Sequence, residues 1–265
     1  MVTYAYVIAG SEATGGAGIQ VDLKTFHQLG VYGMGTLTCI VSVDPKNDFN
    51  HRFVPIAPEL IHDQIEAALG IRDIDTVKIG MLGTPETIDV VEEGLKSQEW
   101  KNVVLDPVLI CKGGELGAST DEALKAKILP LATVATPNYF EACTLAGMEK
   151  LETIEDMTEA ARRISALGPK HVVVKGGVDF PGPDAVDLLW DGERATVFAE
   201  PKIGEYKVSG AGCTLAAAVT AELAKGASPL EAAVTAKEVV SSSIRHGLRG
   251  NMPFLYVYQG EYRPA

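Results

Sequence analysis

AYVIAGSEATGGAGIQVDLKTFHQLG, residues 5–30, changes character twice. AYVIAG is apolar without the polar alternation of a half-exposed strand, so it reads as a strand buried on both faces. GSEATGGAG is polar and glycine-rich, as a loop should be. GIQVDLKTFHQLG has the amphipathic spacing of a helix and closes at glycine, a common helix stop. Strand, glycine loop and helix make the first half of a β-α-β unit.

The same alternation continues to the other end of the chain. GTLTCIVSV, DTVKIGM, NVVLDPV, ATVAT, KHVVVKGG and AVDLLW read as further strands, mostly apolar on both faces. PELIHDQIEAALG, TPETIDVVEEGLKSQ, IEDMTEAARRISALG and SPLEAAVTAKEVVSSSIRHGL read as helices, several opening on an acid, Ser, Thr or Pro. Doubly buried strands separated by helices imply a three-layer α/β/α fold around a mostly parallel central sheet. No linker, repeat or low-complexity stretch divides residues 1–265, and a single domain is expected.

The formal charge of −12 argues against a general affinity for nucleic acid or anionic lipid. TYAYVIAG is too short for the apolar core of a signal peptide and has no basic leader. No apolar run approaches the roughly 20 residues that span a bilayer. Cys39, Cys111, Cys143 and Cys213 form no CxxC pair and have no histidine at zinc-like spacing. A cytoplasmic protein with reduced thiols is expected.

In an open parallel sheet the ligand site lies beyond the carboxyl ends of the strands. The polar and glycine-rich stretches fall there: GSEATGGAG, VDPKNDFNH, Gly80 with Met81, DPVLICKGG, TPNYFEA and the glycines after Lys175. In VSGAGCTLAAAVTAELAKG, residues 208–226, Gly210, Ala211 and Gly212 read as a tight loop before a helix over 214–225. Amides at a helix start lack intrahelical partners and carry the positive end of the dipole, which suits a phosphate. A close helix–strand contact needing small residues fits the same pattern. The GxxxxGK[ST] phosphate loop is absent.

Asn138 and Glu141 stand three apart in TPNYFEA, a spacing that serves either a hydrated Mg²⁺ or a helix cap; taken alone it favours the cap. Asp106, at the tip of NVVLD, suits a metal or a neighbouring helix start equally. Lys175 ends VVVK before two glycines, where it can meet a phosphate or lie on the surface beside a turn. Cys39, in an apolar strand, and Cys143, in a helix, read as core residues.

Seven ordered blocks, AGSEATGGAGIQVDLKTF, VKIGML, VVLDPVL, LPLATVATPNYFEA, DMTEAA, VVVKGG and GAGCTLAAAVTAELAKG, span nearly the whole chain. Together they resemble the hydroxymethylpyrimidine kinase/pyridoxine kinase branch of the ribokinase superfamily. SVDPKNDFNHRFVPI and ICKGG resemble the pyridoxal kinases with two active-site cysteines. Ser209-Gly210-Ala211-Gly212-Cys213 stands where hydroxymethylpyrimidine kinases tend to have His-Gly-Thr-Gly-Cys. Glu12 stands where the branch usually has Asp.

The resemblance implies a ribokinase-like fold and ATP-dependent phosphorylation of a hydroxymethyl group on a small heteroaromatic ring. Pyridoxal, pyridoxine or pyridoxamine is the expected acceptor; hydroxymethylpyrimidine or its phosphate is the alternative. It implies that Gly210, Ala211 and Gly212 form the anion hole, that Asn138, Lys175 and Asp187 approach the nucleotide, and that Asp106 and Glu141 serve Mg²⁺. A monovalent cation and a homodimer are further expectations. The ring is expected against Gly10, Asp22, Asn47, His51, Gly80, Met81 and Val108, although a lone loop histidine such as His51 is often simply solvated. Cys213 replaces the superfamily's usual Asp base and is expected to take the alcohol's proton as a thiolate. Cys111, in the glycine-rich CKGGELGAS, is expected to sit on a lid and to add reversibly to the aldehyde of pyridoxal. A nucleotide-binding protein without catalysis and a sugar kinase on the same fold are weaker readings.

Overall fold

The computed structural model describes residues 2–47, 49–111, 114–115, 118–251 and 254–263, and the side chains at 110, 111, 114 and 115 lie outside the description. The strands are β1 (Thr3–Glu12), β2 (Val31–Asp44), β3 (Asn50–Pro55), β4 (Thr76–Ile79), β5 (Asn102–Leu105), β6 (Ile110–Cys111), β7 (Gly114–Glu115), β8 (Val134–Ala135), β9 (His171–Lys175), β10 (Asp184–Trp190), β11 (Ala195–Pro201), β12 (Leu248–Arg249) and β13 (Leu255–Tyr256). The α-helices are α1 (Gly18–Gln28), α2 (Pro58–Ile71), α3 (Pro85–Lys96), α4 (Ala118–Ala123), α5 (Tyr139–Ala146), α6 (Ile154–Ser165), α7 (Ala211–Ala224) and α8 (Pro229–Arg245).

Nine strands form one sheet in the order β11-β10-β9-β8-β5-β4-β1-β2-β3. The run from β9 to β2 is parallel throughout, whereas β3, β10 and β11 are antiparallel additions at the two edges. Successive residues of β1 point to opposite faces, as the period of two requires. Tyr6 and Ile8 join the core beneath α2, α3, α5 and α6, while Ala5, Val7 and Ala9 join that beneath α1, α7 and α8. The second face is built from small residues: Ala217, Ala218, Ala221, Ala232, Ala233 and Ala236 let α7 and α8 approach the sheet and each other closely.

Several elements differ from the sequence-based expectation: β11, α4, β12 and β13 are absent from it, and three differences bear on the site. β2 begins at Val31 rather than Gly35, because Gly33 and Gly35 are not breaks. A Cβ at Gly33 would crowd Leu23 and Phe26 of α1, and one at Gly35 would crowd Ile19. VDPKNDFNH is not a rim loop throughout: its end enters the edge strand β3, paired from Asp44↔Asn50 to Cys39↔Pro55. The start of α7 moves from Thr214 to Ala211, which puts Ala211, Gly212 and Cys213 inside the helix. Among the described residues, no helix is long and apolar enough to cross a membrane.

Candidate active site

Parallel strands bring their carboxyl ends to one rim, so Gly10 in β1, Gly80 after β4, Asp106 after β5, Asn138 after β8 and Lys175 at the end of β9 converge there. α7 starts against this rim. Its N-cap is Gly210, at φ 84, where a side chain would be strained and would strike the Gly16 carbonyl. Thr214 N–H donates to the Gly210 carbonyl at 2.8 Å, and Gln259 Nε2 donates to Thr214 Oγ1 at 2.9 Å. The Gly212 and Cys213 amides are thereby held at the positive end of the helix.

This helix start is a wall between two cavities. Ala211 and Gly212 line the larger, of about 240 Å³, together with Asn138, Lys175 and Asp187. Gly210 and Cys213 line the smaller, of about 160 Å³, together with Gly10, His51, Gly80, Met81 and Val108.

On the larger side, Lys175 Nζ donates to Asp106 Oδ1 at 2.7 Å, and a Cβ built on Gly212 would lie 3.3 Å from that ammonium. Burial pushes the Asp106 carboxyl up, but the Lys175 and Lys78 ammoniums outweigh it and hold the group below its usual range. Asn138 and Glu141 form a complete capping box: Glu141 N–H donates to Asn138 Oδ1 at 3.0 Å, and Asn138 N–H to Glu141 Oε2 at 2.8 Å. Burial pushes the Glu141 carboxyl up to about 8 against the pull of Lys175. Asp106 and Glu141 both lie within the field of the Lys175 ammonium and offer the hard oxygen donors that Mg²⁺ prefers. Asp187 Oδ1 accepts from Gly176 N–H at 3.1 Å, and its Oδ2 accepts from Lys237 Nζ at 2.8 Å.

On the smaller side, burial pushes the Cys213 thiol up to about 11. Lys78 is the leading group acting the other way, with a smaller contribution from the Gly18 amide at the start of α1. The first loop is held by Glu12, whose carboxylate accepts from Thr14 N–H at 2.8 Å, Thr14 Oγ1 at 2.5 Å and Gly16 N–H at 3.3 Å.

Among the described residues, four expected ones line neither cavity: Asp106 and Glu141, which are buried, and Asn47 and Asp22. Asn47 is exposed in the turn between β2 and β3. Asp22 is fully buried behind the smaller cavity, where both its oxygens accept from Lys78 Nζ, at 2.8 and 2.9 Å. The Cys111 side chain lies outside the described residues. Cys39 and Cys143 are buried, as expected.

Lys78 and Lys237 were missing from the sequence-based set. Each carried a signal. Lys78 interrupts the apolar strand TVKI, and Lys237 falls on the buried face of α8 between Ala233 and Val240. A buried ammonium needs a partner, but sequence alone names none.

A model of the phosphomethylpyrimidine kinase family matches residues 12–255. Pyridoxine kinase of Bacillus subtilis (strain 168) is 47% identical over 243 residues, covering 91% of this chain and 90% of that protein. The crystal structure of an ADP complex of Bacillus subtilis pyridoxal kinase superimposes with a TM-score of 0.93 at 44% identity, covering 98% of both chains. Pyridoxal kinase from Staphylococcus aureus in complex with AMP-PCP and pyridoxal gives a TM-score of 0.91 at 40% identity, covering 98% of this chain and 94% of that one.

Proposed function

The chain belongs to the phosphomethylpyrimidine kinase family, and we propose that within it this enzyme transfers the γ-phosphoryl group of ATP to the 5′-hydroxymethyl group of pyridoxal and its B6 relatives. One observation carries the reading: the first turn of α7 faces a cavity on each side, with Ala211 and Gly212 toward one and Gly210 and Cys213 toward the other. A nucleotide in the larger cavity and a hydroxymethyl group in the smaller would meet at the helix's positive end.

The chemistry follows from that arrangement. The amides of α7 and the Lys175 ammonium stabilise charge on the phosphoryl oxygens in flight. Asp106 and Glu141 would hold Mg²⁺, which neutralises phosphate charge when bound. As the bond from phosphorus to the β,γ-bridging oxygen breaks and that to the hydroxymethyl oxygen forms, the hydroxyl proton passes to Cys213 as thiolate. Asp187 acts indirectly, by fixing Lys237 and the Gly176 amide on the nucleotide side.

Incubation with MgATP and, in parallel, pyridoxal, pyridoxine or hydroxymethylpyrimidine tests the assignment. ADP should appear in step with pyridoxal 5′-phosphate. Turnover of hydroxymethylpyrimidine with no B6 vitamer phosphorylated would instead place the enzyme in thiamine synthesis.

The open edge at β3 supports a homodimer. Ile40 and Val54 are directly paired across β2 and β3, and both are more than 40% exposed. Sedimentation equilibrium should return twice the 28.1 kDa chain mass, and a monomer at micromolar concentration would contradict this assembly.

A further inference from the structure

Lys78 occupies a position that the fold reserves for an apolar side chain. Its neighbours in register are Val7 on β1 and Val104 on β5, both in the core beneath α1 and α7. Nevertheless Lys78 is 1% exposed and Asp22 is 0% exposed, and the ammonium spans both carboxylate oxygens. Burying both charges carries a large desolvation penalty, and well-packed apolar residues in place of such a pair often leave stability equal or improved. Packing alone does not account for it.

The ammonium also borders the smaller cavity. Lys78 lines it beside Gly80 and Cys213, and a Cβ built on Gly80 would lie 3.2 Å from Nζ. Lysine has three donors. Asp22 takes two, which leaves one for whatever fills the cavity. Each side of the α7 start therefore has its own ammonium: Lys175 near Gly212 on the nucleotide side, Lys78 on the side of Cys213. We propose that Lys78, aimed and restrained by Asp22, is a positioning residue that stabilises the negative charge on the Cys213 sulfur when the acceptor's proton is taken. The proposal rests on the kinase reading of the site.

The leading charged groups acting on Cys213 are Lys78 on β4, Asp22 on α1, Asp106 after β5 and Lys175 on β9, and Glu12 on β1 and His51 on β3 line the same cavity. Lys175 is engaged by Asp106. Asp22 and Asp106 both oppose ionisation of the thiol, and Lys78 is the leading group that favours it. Replacing Lys78 and replacing Asp22 should therefore have effects of opposite sign on the sulfur.

The test is the pH dependence of alkylation at Cys213, read on its own peptide by mass spectrometry after iodoacetamide treatment, with kcat measured on the same preparations. Lys78→Met should raise the alkylation midpoint by about one pH unit or more and lower kcat at least tenfold at pH 7.5, whereas Lys78→Arg should preserve both substantially. Asp22→Asn should move the midpoint down. The double variant Lys78→Met/Asp22→Leu should keep the wild-type Tm, with a midpoint below that of Lys78→Met because the opposing carboxylate is removed as well. An unmoved midpoint in Lys78→Met, a shift of the same sign in Asp22→Asn, or collapse of the double variant would each overturn the proposal, the last by showing that the pair serves the fold. Alkylation is independent of turnover. A wild-type protein that phosphorylates no B6 vitamer but shows these shifts would refute the kinase reading and leave the charge coupling standing.

Discussion

At the scale of single residues, the chemistry turns on the ionisation of one thiol. With burial holding Cys213 up to about 11, its thiolate fraction at pH 7 is about 10⁻⁴. A thiolate base therefore makes turnover climb roughly tenfold per pH unit from neutrality upward. Cys213→Asp should flatten that limb, since a carboxylate is already ionised there, and Cys213→Ala should lower kcat about 100-fold or more with the KM for ATP nearly unchanged. Steady-state kinetics against pH checks both; a flat wild-type profile would move proton transfer elsewhere. Cys213 was legible because a cysteine after a glycine loop is conspicuous. Its partner Lys78 was not. A lone lysine in TVKI acquires meaning only when the fold brings Asp22 to it from 56 residues away.

At the scale of elements, the start of α7 and the start of α5 do the positioning. Gly210→Ala forces an L side chain into φ 84 against the Gly16 carbonyl. That costs roughly 1 kcal/mol from backbone conformation alone, and it tilts the amides that meet the phosphate. A lower Tm together with a lost kcat is expected, and an unchanged enzyme would show that the loop tolerates another path. In α5, Glu141 has a folded-state pKa of about 8, above its ordinary value of 4.5. Such a group contributes stability below pH 4.5 that is lost as pH rises toward 8. Glu141→Gln should therefore be more stabilising relative to wild type at pH 8 than at pH 5, by on the order of one to a few kcal/mol, as read from urea unfolding at the two pH values. A difference that shrinks with pH would contradict the assignment. The capping alternative read from Asn138 and Glu141 was correct as local geometry, and the same bonds place both side chains at the rim. The β2–β3 hairpin was less legible, because Pro45, Lys46 and Asn47 read as loop while the pairing of Asn50–Pro55 with β2 is a tertiary fact.

At the scale of the whole molecule, the parallel sheet makes the site possible. Six contiguous strands that run one way deliver their ends to one rim, and β3, β10 and β11, joined by antiparallel pairing, extend the sheet at its edges. That architecture was readable from doubly apolar strands alternating with capped helices, a pattern with period and punctuation in the sequence itself. Division of the rim into two cavities was not readable. It depends on α7 beginning at Ala211, three residues earlier than its apolar periodicity suggested, and on glycines that let it sit against the first loop. The most direct test is a crystal structure of the enzyme with ADP, Mg²⁺, pyridoxal and aluminium fluoride, a planar mimic of the phosphoryl group in transfer. The fluoride should lie within hydrogen-bonding distance of the Gly212 and Cys213 amides, with the Cys213 sulfur beside the hydroxymethyl oxygen. Fluoride bound away from the start of α7, or a sulfur turned from the acceptor, would contradict it.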